Sequence, residues 1–300
     1  MTTLHQAPRP AALPAGQDAR APWTGLLAAE WTKIRSVRST IWSLLAFVVV
    51  AIGFSTLVAV VISHNWDRPG PHPELVQMHS DPTGLIFGAG FGLGQLALGV
   101  LGVIVITSEY SSGAIRSSLL AVPRRLRMLT AKCVVFGVLV LIVSAVTVFA
   151  VFFISTAIYR SHVSVTLGQP GVLRATIGGI LYLTVLALFA LAIGGLIRHT
   201  AGAIATVVGL ILVVPPLVGL IPGTIAAHIH AYLPTVAGPL IGQTAQQSGD
   251  LLSPWQGFGV VCLCVGRRPA RRLRLAAGPP RRLKFAPSEP AFLVTGRQFA

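Results

Sequence analysis

Residues 40–62 read TIWSLLAFVVVAIGFSTLVAVVI, twenty-three positions without a charge. A helix of that length, at about 1.5 Å per residue, covers the roughly 30 Å hydrocarbon layer of a bilayer. Lipid offers no partner to backbone N–H and C=O groups, so such a run must bond to itself as a helix. Comparable runs follow at about 84–107, 133–158, 175–197 and 201–221, with a shorter apolar piece at 255–265. Only 10% of the residues are charged, against about a quarter in a soluble domain. The chain is therefore read as an all-α integral membrane protein, a polytopic bundle with five clear spans and a sixth cut short.

The charges between the runs set an orientation. With the N-terminus inside, the inner segments before residue 255 hold Lys33, Arg35, Arg38, Arg116, Arg124, Arg125, Arg127, Lys132 and Arg198. The outer ones hold only Arg68, Arg160 and Arg174. Basic residues collect on the cytoplasmic side, so a cytoplasmic N-terminus in a bacterial plasma membrane is expected. The net charge of +15 then reflects topology and lipid contact, and no nucleic-acid partner is inferred from it.

Before the first span, residues 1–22 are rich in Pro and Ala and read as a disordered cytoplasmic tail. No early apolar region suggests a cleavable leader. In residues 23–39, Trp23, Leu27, Trp31 and Ile34, with Leu26 less well aligned, recur at helical spacing beside Lys33, Arg35 and Arg38. That combination reads as an amphipathic helix in the membrane interface. The three cysteines, Cys133, Cys262 and Cys264, lie in or beside apolar runs and imply neither a disulfide framework nor a zinc site.

The most polar inner stretch is residues 107–132, TSEYSSGAIRSSLLAVPRRLRMLTAK. As a helix it places Glu109, Gly113, Arg116 and Leu120 on one stripe and Ile115, Leu119 and Val122 on another. Pro123 breaks that helix, and the basic residues after it lead into the next span. The result is a short helix lying across the membrane face, with its apolar side in lipid and its polar side in water. On these residues alone, the arginines could equally serve only to fix topology.

The segments AAEWTKIRSVRST and SEYSSGAIRSSLLAVPRRLRMLTAK, with AYLPTVAG further on, resemble the permease subunits of ABC-2-type ATP-binding-cassette transporters, most closely the short actinobacterial form. The resemblance covers about residues 24–258. It implies six spans, two permease copies or a paralogous pair, and a separate ATPase subunit that carries ATP and magnesium. It also implies that the loop between spans two and three docks on that ATPase. Glu109, Gly113, Arg116, Pro123, Arg124 and Arg125 would then be coupling residues rather than catalysts, with Trp31, Lys33, Arg35 and Arg38 on the interfacial helix as a second contact. Export between the permease halves by alternating access is the implied activity. A non-transporting scaffold or sensor is the alternative class.

Other motifs point to no chemistry on this chain. No Gly-Lys pair occurs, so there is no phosphate loop for ATP and no resident cofactor is expected. GAGFGLGQLALG (88–99) lies inside a span with no strand before it, which disfavours a dinucleotide loop. Its pairs Gly88/Gly92 and Gly90/Gly94 read as small-residue helix packing, with a glycine-lined substrate path as the sharper alternative. His64, His72, His79, His228 and His230 all fall on the expected outer side and read as solvated loop residues; no metal site is assigned. No H-E-x-x-H occurs, and the spans carry no acid or base for a proton relay.

The ending departs from the rest. Residues 266–300 hold nine Lys/Arg against one acid, Glu289, in a Pro- and Ala-rich text. A shifted reading frame near 260–266 would yield such a composition. A basic tail on anionic lipid is the alternative.

Overall fold

The computed structural model describes residues 22–66, 81–113, 125–247 and 249–276. Helices dominate, and no strand occurs among the described residues. In order they are α1 (Trp23–Ser36), α2 (Arg38–His64), α3 (Pro82–Ser111), α4 (Arg125–Tyr159), α5 (Val172–Ile197), α6 (Thr200–Gly219), α7 (Thr224–Ala231), α8 (Pro234–Ala237) and α9 (Pro254–Ala276). Five of them, α2 to α6, are long and apolar enough to cross a membrane, the number read from the sequence.

α5 is the hub. Sixteen of its residues are buried, on nearly every side of the helix, and it packs most extensively on α3 and then on α4. Small residues permit that closeness. A Cβ added at Gly102 of α3 would fall 2.5 Å from the Ala187 carbonyl oxygen of α5. One added at Gly194 of α5 would fall 2.6 Å from a methyl of Ile106. α2 packs on the other side of α3 and turns Ile41, Trp42, Leu45, Val49, Leu57 and Val61 outward, as a lipid-facing helix does.

α3 and α4 overshoot the bilayer. Their 30 and 35 residues extend about 45 and 52 Å, against roughly 30 Å of hydrocarbon. The overshoot carries the end of α3 and the start of α4 past the apolar layer together, where α1 meets them. α1 and α2 are separated by one extended residue, Val37, with φ −88° and ψ 106°. Arg38 thus opens the first span instead of closing the interfacial helix.

α6 contains a π-helical segment at Gly209–Val213. Pro215 and Pro216 follow it and cannot donate backbone hydrogen bonds to the preceding turn. The ladder widens there, and Val214 N–H bonds back five residues to the Gly209 carbonyl. The sixth apolar piece opens α9. Val261 is buried, and Gly257 lies against the Ala237 carbonyl, where a Cβ would fall 2.2 Å from the oxygen. The helix runs through the compositional break at 266 to Ala276, although it is apolar only over Pro254–Gly266.

Candidate functional site

α1 presents Leu26, Glu30 and Ile34 to the bundle, one stripe at i, i+4 and i+8. A carboxylate in that stripe must find cations or be protonated. Glu30 finds two. Its Oε1 accepts from Lys33 Nζ at 2.6 Å, and its Oε2 accepts from Lys132 Nζ of α4 at 2.6 Å. Lys132 also donates to Glu109 Oε1, in the last turn of α3, at 2.7 Å; Lys33 lies 3.5 Å from the same oxygen. Glu30, Glu109 and Lys132 are only 3%, 7% and 1% exposed.

The four side chains are formally neutral together and join three helices. Burial opposes the charge on Glu30, but the hydrogen bonds from Lys132 and Lys33 outweigh it and hold the carboxyl below its ordinary 4.5. Burial likewise opposes the charge on Lys33, and the bond to Glu30 and the field of Glu109 hold its ammonium above the ordinary 10.5.

Two cation–π contacts flank the cluster. The Arg127 guanidinium of α4 lies 5.7 Å from the Trp23 ring centre of α1, and that of Arg198, after α5, lies 5.7 Å from the Tyr110 ring centre of α3. Arg198 adopts φ 58°, a left-handed helix end, in the tight return before α6. One end of the bundle thus gathers α1, the last turns of α3 and α5 and the first turns of α4 and α6.

The residues singled out from the sequence divide in three ways. Glu109 is turned inward onto Lys132 and does not stand on a separate surface helix: α3 runs on to Ser111, and Gly113, at φ 71°, bends the chain immediately after it. Trp31, Arg35 and Arg38 are exposed and Lys33 is partly so, and Arg125 is the first residue of α4. Arg116, Pro123 and Arg124 lie outside the described residues, as do His72 and His79, the tail to residue 21 and residues 277–300. Glu30 and Lys132 carry the cluster, yet neither stands out in composition. The available signal was a carboxylate in the apolar stripe of α1.

The glycines of α3 face two ways. Gly90 and Gly94 lie against α2: a Cβ at Gly90 would fall 2.1 Å from Ser55 Oγ, and one at Gly94 3.2 Å from Ala51 and Phe47 carbons. Gly88 and Gly92 have nothing within 4 Å of a would-be Cβ and open onto a cavity of about 220 Å³ at the opposite end of the bundle. Asp81, Phe87, Phe91, Gln95 and Gln243 also line it. Among the described residues, no group of three His, Cys, Asp or Glu side chains could hold a metal ion.

Residues 26–216 match the family described as ABC-2 family transporter protein. The search of curated proteins finds no match.

Proposed function

The chain belongs to the ABC-2 transporter family, and from that premise we propose that it is the permease subunit of an exporter driven by a separate ATPase subunit. That it is a multi-pass membrane protein follows from the family and the five membrane-length helices.

The observation that carries the coupling reading is the buried ion cluster. It fastens α1 to both helices that flank the 112–124 connection. A push on that connection, or on the exposed side of α1, reaches α3, α4 and through them α5 as one rigid unit. The ATPase docks on Gly113, Arg116, Pro123, Arg124 and Arg125 together with Trp31, Lys33, Arg35 and Arg38. Glu109 acts here by holding the docking elements in place from within. ATP and magnesium belong to the partner.

Two copies, or this chain with a paralogue, enclose the path, with the open Gly88/Gly92 face of α3 lining it. The N-terminus lies in the cytoplasm of a bacterial plasma membrane, beside the ATPase.

The test is co-expression with a candidate ABC ATPase subunit, purification through a tag on the permease, and measurement of ATP hydrolysis by the pair. Arg116→Glu with Arg124→Glu should abolish co-purification while the permease still folds. An ATPase that binds the variant as well as the parent refutes the assignment.

A further inference from the structure

The cavity at the open end of α3 holds an unused charge. Asp81, directly before α3, is fully buried. Its Oδ1 accepts from Thr83 Oγ1 at 3.1 Å, Thr244 N at 2.7 Å and Thr244 Oγ1 at 2.6 Å. Its Oδ2 is buried and has no hydrogen-bond partner among the described residues. Gly84 makes room for that oxygen, since a Cβ there would fall 2.0 Å from it.

A second acceptor in the cavity wall, Gln243 Oε1, is also buried without a partner among the described residues. Gln95 Oε1 is already occupied by the Tyr182 hydroxyl, which donates to it at 2.6 Å. Arg174, a cation on this side, donates Nη2 to the carbonyls of Gln243 and Thr244 at 2.7 and 2.9 Å, keeps Nη1 buried without a partner among the described residues, and makes no ion pair with Asp81 among them. Two aromatic rings also line the wall: Phe87 and Phe91 stack with centres 5.2 Å apart and planes 7° from parallel.

A buried carboxylate oxygen without a donor is costly to leave so. A guest that supplies both an N–H and a positive charge answers it, and phenyl faces favour the same guest. We propose that this cavity binds a protonated organic amine, with the ammonium on Asp81 Oδ2 and the carbon skeleton along Phe87 and Phe91. The volume is below the roughly 300–1,000 Å³ of sites for drug-sized ligands, so the guest is a small amine or the head of a larger amphiphile whose remainder leaves past Gly88 and Gly92. That this amine is exported cargo rests on the permease reading; that it binds does not.

The experiment uses the full chain in lipid nanodiscs and calorimetric titration with phenethylammonium chloride, corrected for empty discs. The comparison ligands are 2-phenylethanol and phenylacetate. The amine should bind saturably, and the alcohol and the acid should not. Asp81→Asn should weaken the amine about ten- to a hundredfold. Gly88→Leu, which sets a side chain into the open space at the cavity wall, should remove binding and keeps the test valid if Asp81→Asn misfolds.

The absence of saturable amine binding, equal binding of the alcohol, or unchanged binding by Gly88→Leu overturns the site. Because the titration needs no ATPase, failure of the ATPase to associate leaves the site standing. A chain that docks the ATPase and ignores the amine refutes the site and leaves the permease reading intact.

Discussion

Lys132 is the residue on which the α1 end depends. It is nearly inaccessible and holds two carboxylates from two other helices. Lys132→Met leaves buried negative charge uncompensated, which costs about 3–5 kcal/mol in comparable sites. The triple change Glu30→Gln, Glu109→Gln and Lys132→Met leaves no buried charge and should be less destabilised than Lys132→Met alone. Thermal unfolding in detergent decides the order. The cluster also sets a pH range. Glu30 sits below its ordinary 4.5, so its contribution is present above that value and is lost as pH falls through the lowered one. Lys33 sits above 10.5, so its contribution is full below that value and is lost as pH rises through the raised one. α1 should stay docked from pH 4.5 to 10.5 and detach only as pH falls through the lowered value of Glu30, seen as stronger quenching of tryptophan fluorescence by an aqueous quencher, because Trp31 neighbours Glu30.

At the scale of elements, the closest contact is α3 against α5. Gly102→Leu drives a side chain into the α5 backbone and should cost several kcal/mol or prevent folding, whereas Gly92→Leu, whose Cβ has nothing within 4 Å, should unfold near the parent temperature. Unfolding midpoints of the two variants check this. The elements themselves were legible because hydropathy is local: each span announces itself within its own two dozen residues. The partnerships were not. Glu30, Glu109 and Lys132 are separated by up to 102 positions, and nothing in the chain names which lysine meets which carboxylate. Glu109 read as exposed because the polar text after Thr107 suggested that the span had ended. The helix instead continues one turn, to Ser111, and delivers Glu109 inward. The opposite faces of Gly88/Gly92 and Gly90/Gly94 follow from the placement of α2, which no spacing rule supplies.

For the whole molecule, the two ends differ in kind. One is closed by paired charges, and at the other an Asp81 oxygen beside a cavity has no hydrogen-bond partner among the described residues. In the proposed orientation the first lies in the cytoplasm. Single cysteines placed at Arg35 and at Leu220 in a cysteine-free chain should report it: a membrane-impermeant maleimide added to intact cells should label position 220 and leave position 35 unlabelled. The reverse pattern inverts the topology. The ion cluster also bears on how the chain is made. Glu30 emerges from the ribosome 102 residues before Lys132, an interval of about 5–20 s at typical synthesis rates. For that time Glu30 has only its near neighbour Lys33, so α1 waits at the membrane surface as a loose flap. Its seating records that α3 and α4 have been inserted, and a chain that fails there leaves α1 open to proteolysis.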